Sequence, residues 1–316
     1  MKLSEYLSFE EKGKYFKNGE IPININLSEI FDELERFQVQ GSGFIYRGCS
    51  EAKFKMYNSA QRLYMNQDLH LQVPKDRISE HYSKFITELI SSAGEWNNGV
   101  ISKLLSESGI NPKNSIALLS YMQHYGLPTP FLDFTFNPYI ALFFAIENMS
   151  YQPSDNPIDN YFSLYYSFQN NTAFEIWKYV FDKDLEDDNI PYESVDAKDM
   201  SIILPSEELY KIVNSLNIVN QEGLFFYNNH PWYPIERTYI EYITYMKEEL
   251  GDKKFEEVML LNEMCGCFNI HKSLAPLIRE KLNNMGITRD YIYPSIEKFK
   301  EEVAIDAIKK ILSFGK

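Results

Sequence analysis

Long apolar runs are missing from this 316-residue chain. The longest stretch, 139–146, is far short of the roughly 20 residues needed to cross a bilayer, so no membrane span is expected. The opening residues, MKLSEYLSFEEKGK, contain no apolar signal core; no export signal is expected, and the chain reads as cytoplasmic. Cysteine is scarce. Cys49, Cys265 and Cys267 are an odd number, which fits a reducing interior better than a disulfide scaffold. Positive charge is short too: 31 Lys and Arg stand against 45 Asp and Glu, for a formal net charge of −14. That deficit disfavours nucleic acid as a partner, although it leaves room for a local basic pocket. Repeats, low-complexity tracts and long Gly/Ser linkers are absent, as are the GxxxxGK[ST], GxGxxG, HExxH and GxSxG patterns. Cys265-Gly266-Cys267 has neither the spacing nor the second pair of a zinc site, so no metal is expected and the thiols read as core residues.

What remains is an ordinary globular composition, 44% hydrophobic and 15% aromatic, with ample material for one large core. Helical spacing runs over 28–38, where Ile30, Phe31, Leu34 and Phe37 share a face, and over 76–96 and 115–125. Phe44-Ile45-Tyr46-Arg47 reads as a short buried strand ended by Gly48. Asn137-Pro138 joins a capping side chain to a first-turn proline, and the helix it opens is apolar all round, hence buried. Strands are expected at 161–168 and 223–228, a solvated acidic loop at 182–188, and helices at 236–250, 254–261, 273–285 and 295–312. Strands separated by irregular runs of helices predict an α+β fold. His70, His81, His230 and His271 lie in polar surroundings and are expected at the surface.

Three places are harder to read as packing alone. Arg47 follows a hydrophobic strand and precedes Gly48: it needs an anionic or carbonyl partner, either a ligand or a structural salt bridge, and the glycine would let a ligand approach the backbone. The stretch from Tyr121 to Thr135 places Gln123, His124, Asp133 and Thr135 in a turn-rich, aromatic setting. Asp133 could orient His124 as a base; equally, Asp133 or Thr135 could cap the next helix while His124 satisfies a buried carbonyl. Last, Gln221 and Glu222 stand at the rim of the strand that starts at Gly223, as site residues or as a simple turn.

Together these places resemble the FRG domain, a bacterial family named for a Phe/Tyr-Arg-Gly signature. The signature stands here as Tyr46-Arg47-Gly48, with Arg62 where the family tends to place a further arginine. The block QHYGLPTPFLDFTFNPYIALFFA, 123–145, is similar to its most specific stretch, and Gln221-Glu222-Gly223-Leu224-Phe225 to a later Q-x-G-x-F element. Ile270-His271-Lys272 and 286–294 resemble its closing pattern. Asn217 departs from it where an arginine is common, and Phe131 where leucine is.

The resemblance implies a split β-sheet cleft like that of the ADP-ribosyltransferase fold, surrounded by many helices and using NAD. It implies a transferase or NAD-hydrolysing enzyme, a toxin or anti-phage defence effector, with a protein target conceivable; the alternative is a non-catalytic nucleotide- or protein-binding module. A nuclease or phosphotransfer site built on Asp133 and His124 is the weakest reading, for want of a carboxylate cluster. Carried over residue by residue, catalytic roles fall to His124, Asp133, Thr135, Gln221 and Glu222. Cofactor contacts fall to Arg47, Gly48, Arg62, Gln123, Tyr125 and Phe134. The expected layout is a helical extension over 1–40 and one FRG-type unit over 41–316.

Overall fold

The computed structural model describes residues 3–23, 27–40, 44–107, 115–168, 200–203, 216–237 and 265–295, with a few isolated positions besides. Its centre is a seven-stranded sheet in the order β1-β7-β4-β2-β3-β6-β5. The strands are β1 (Lys17–Ile21), β2 (Phe44–Cys49), β3 (Phe131–Thr135), β4 (Tyr161–Phe168), β5 (Met200–Ile203), β6 (Gly223–Asn228) and β7 (Cys265–His271). β1 pairs parallel with β7; every other pairing is antiparallel.

The sheet is nearly cut in two. β2 pairs with β4 along its whole length, Phe44↔Phe168 through Cys49↔Ser163, yet touches β3 through the single pair Tyr46↔Thr135. Beyond that pair the two strands part, leaving four strands on one side of a seam and three on the other. Alternation then assigns the faces. Tyr46, Asp133, Thr135 and Phe225 share one face; Ile45, Leu132, Phe134, Tyr165 and Cys267 share the other and form a common core.

On the first face two cores lie side by side. Helix α6 (Pro138–Ile146) covers the β2–β4 side, packing Ile140, Ala141 and Phe143 on Tyr46 and Leu164. Asn137 caps it by accepting the amides of Tyr139 and Ile140, as its sequence predicts. Helices α4 (Ile78–Glu107) and α5 (Ser115–His124) cover β3 and β6 through Leu118, Met122, Phe131 and Phe225. Further helices among the described residues are α1 (Phe9–Lys12), α2 (Leu27–Gln40), α3 (Ser59–Asn66), α7 (Leu216–Asn220), α8 (Ala275–Asn284) and α9 (Arg289–Ile292).

Several boundaries fall where sequence places them, including β4, β6 and the start of α5. The helix expected over 76–96 ends at a break where Asn97, Asn98 and Gly99 all take positive φ, after which α4 resumes. Three expectations change. Residues 131–135, read within a turn-rich stretch, form strand β3. The first forty residues are not wholly helical, because β1 is the edge strand of the main sheet. His70 is buried at 7% exposure, and His230 packs its ring flat on Tyr233 with centroids 3.9 Å apart, so neither is a plain surface residue. The acidic run at 182–188 lies outside the described residues, as do 254–261, nearly all of 236–250 and most of 295–312, where the described positions 303, 305–307 and 310 are helical. Among the described residues no helix is long and apolar enough to cross a membrane.

Candidate functional site

A cavity of about 410 Å³ opens on the first face over the seam, between α6 and α5. Its floor is β2, β3 and the start of β6; its walls are Ala141 and Phe144 of α6, Gln123 and His124 of α5, Asn217, Ile218 and Gln221 around α7, and Tyr293. The parting of β2 from β3 is what makes the space. There the Asp133 carbonyl has no strand partner and accepts instead from an Arg47 Nη. Arg47 borders the cavity but belongs by alternation to the far face, with its guanidinium at the seam on the Asp133 carbonyl, 6.0 Å from the Phe134 ring centroid.

Asp133 sits at the centre. Its side chain is open to the cavity yet surrounded by protein. That enclosure pushes its carboxyl above the ordinary carboxylate range, while the Arg47 charge and a Gln123 hydrogen bond pull it the other way. Gln123 Nε2 donates to Asp133 Oδ2 at 2.8 Å, and Gln123 Oε1 accepts from the Thr129 hydroxyl. His124, at the C-terminal end of α5, lines the same wall.

The remaining expected site residues divide. Phe134 lines the cavity and is otherwise a core ring. Thr135 lines it, but its hydroxyl donates to the Gln221 carbonyl at 2.7 Å and accepts the Asn137 amide at 3.0 Å, so it fastens the end of β3. Gln221 lines it as well, with its amide spent on the Ile292 carbonyl at 3.3 Å. Gly48 borders the cavity, though for another reason than ligand approach: a Cβ there would lie 1.9 Å from the Ala141 carbonyl oxygen, so glycine lets α6 lie on β2.

Three residues stand outside the cavity lining. Glu222 takes φ +47° in the turn before β6 and points its carboxylate at Asn137 Nδ2, 2.9 Å away. Tyr125 is 49% exposed and packs on Tyr121; partial burial, with Tyr121 beside it, holds its hydroxyl up at about 12. Arg62 bonds through Nε to the Tyr57 carbonyl, and burial together with the Arg47 charge lowers its pKa, which places the two guanidinium groups within electrostatic reach of each other.

Sequence reasoning passed over Tyr293 and Phe144 as site residues. Tyr293 donates to Glu147 at 3.0 Å, and burial raises it to about 12. Its segment resembles the family's closing pattern, which was a signal of position but not of role. Asn217, noted only where the family commonly carries an arginine, lines the cavity. Among the described residues no cluster of three or more His, Cys, Asp or Glu could hold a metal ion.

No curated protein and no solved structure matches this chain significantly. A family model does match, over residues 42–154, a span that contains β2, β3 and α6 and supplies Arg47, Gln123, His124 and Asp133 while leaving Gln221 and Tyr293 beyond it: the chain contains an FRG domain.

Proposed function

We propose that the seam cavity binds NAD and that the protein breaks the bond between nicotinamide and ribose, passing ADP-ribose to water or to a protein acceptor. The observation that carries this reading is the convergence of Arg47, Gln123, His124 and Asp133, from three separate elements, on one cavity. Its volume falls in the range of small-molecule sites, large enough for part of a dinucleotide. Arg47 keeps most of its fork for an anion after its one bond to the Asp133 carbonyl, and Arg62 adds a second positive charge nearby. Together they suit a pyrophosphate, in a chain whose overall charge of −14 repels one. Phe144, Phe225 and Tyr293 provide apolar and aromatic walls for a flat ring.

Loss of nicotinamide builds positive charge on the ribose, which a carboxylate stabilises. Asp133 is the one carboxylate lining the cavity among the described residues, and it takes that role. Glu222 is turned away and Gln221 is an amide that cannot act as a base, so neither supplies the charge. The second reading, a non-catalytic nucleotide-binding module, draws support from the Thr135 hydroxyl and the Gln221 Nε2, both bonded to main-chain carbonyls of the fold. Purified protein is incubated with NAD, in buffer and in cell lysate, with nicotinamide release and NAD binding both followed. Release supports the enzyme; binding without release in either setting supports the module. Neither binding nor release sinks both.

A further inference from the structure

The segment between α5 and β3 does more than connect them. Phe131 donates its amide to Thr129 Oγ1 at 3.2 Å, the Thr129 hydroxyl donates to Gln123 Oε1, and Gln123 Nε2 donates to Asp133 Oδ2 at 2.8 Å. Each link constrains the next. A hydroxyl that accepts a main-chain N–H must aim its own proton elsewhere, and here it meets the Gln123 oxygen. With its oxygen bonded to that hydroxyl, the amide turns its NH₂ to Asp133. Thr129 is itself fixed: it is fully buried, and its amide donates to Ser59 Oγ of α3 at 2.9 Å. The line thus runs from main chain to carboxylate through two side chains with no freedom of direction. Of the two carboxyl oxygens, Oδ2 is the one engaged by the amide.

We infer that Thr129 and Gln123 are positioning residues for Asp133, holding its Oδ2 through a directed hydrogen-bond line so that Oδ1 is presented to whatever occupies the cavity. This assigns Gln123 to the carboxylate rather than to the cofactor, and gives Thr129, fully buried and outside the cavity lining, a part in the site. It rests on the reading of Asp133 as the working group, but its test does not depend on NAD.

The direct readout is the titration of the Asp133 carboxyl by carbon-13 NMR, assigned by the signal lost in Asp133→Asn. Arg47 from β2, His124 from α5 and Tyr293 next to α9 face the same cavity, and all are kept in every variant. Removing the donor by Gln123→Leu is expected to move the Asp133 titration upward by about one pH unit, the worth of one hydrogen bond to a charged group. Thr129→Val, which leaves Gln123 in place but frees its amide, is expected to shift it the same way by less. Thr129→Ser restores the hydroxyl and is expected to restore the wild-type titration. Thr129 is buried, so if its valine variant does not fold, the Gln123→Leu titration decides alone. An unshifted Asp133 in folded Gln123→Leu, or in folded Thr129→Val, overturns the inference. If the titration moves while NAD is neither bound nor cleaved, the positioning line stands and the NAD reading falls.

Discussion

Lys12 and Asp133 are charged groups set against opposite faces of one sheet, and they are treated oppositely. Lys12 has no exposed surface; its ammonium donates to the Ala52 carbonyl at 3.0 Å, Ser163 Oγ at 2.6 Å and Asn269 Oδ1 at 2.8 Å, and lies 4.6 Å from the Tyr165 ring centroid. Its three protons have three acceptors. Asp133 is enclosed enough to raise its pKa, yet one side of it faces a cavity. The difference separates a charge closed by its own fold from one that faces a cavity with capacity to spare, the one we propose to work there. His230 belongs with Lys12, since its Nδ1 accepts the amides of Trp232 and Tyr233 at 3.3 and 2.9 Å.

Four substitutions or conditions sharpen the contrast. The largest effect is expected from Lys12→Ala, which leaves a cavity and strands buried acceptors, at about 3 kcal/mol or more of stability by chemical denaturation. Gly48→Ala comes next, at about 1–3 kcal/mol, because its methyl would strike the α6 backbone rather than a side chain that can swing aside. The response to acid is a separate test. Burial keeps His230 neutral down to about pH 3, whereas in the unfolded chain it takes up a proton near 6.5. Its contribution is therefore present above 6.5 and is lost progressively as pH falls from there towards 3. Thermal melts across that window should show the loss, and His230→Asn, which keeps an acceptor without a titration, should flatten it. The smallest effect on stability is expected at the site itself. The raised pKa of Asp133 means that its charged form weakens the fold as pH rises through that value, so Asp133→Asn should hold or slightly raise the melting temperature at neutral pH. A large loss there would place Asp133 with Lys12 and end the distinction.

The same contrast explains what sequence could show. The β2 strand, the capped helix α6, the helix up to Trp96 and the strands β4 and β6 follow local rules: apolar runs, a capping Asn, a first-turn Pro. The stretch from Gln123 to Asp133 was legible as a concentration of polar types, because such residues seldom gather in an aromatic segment for packing alone. Other features depend on distant partners. β1, KNGEI, has no apolar run and exists as a strand because β7 pairs with it. β7 itself carries Asn269, which reads as a loop residue until Lys12 is placed beside it. The reason for Gly48 is a helix nearly a hundred residues later in the chain, and the outward turn of Glu222 follows from a positive φ that no pattern announces. Thr129 was legible only as part of a turn.

The central claim is that Asp133 is a working group in an NAD site. Its most direct test is nicotinamide release from NAD, in buffer and in lysate, by the wild-type chain and Asp133→Asn side by side, with both shown to be folded by their melts. Release by the wild type and little or none by Asp133→Asn, at equal or higher stability, is the expected result. Equal release by both proteins, or no release by the wild type in either setting, would contradict it.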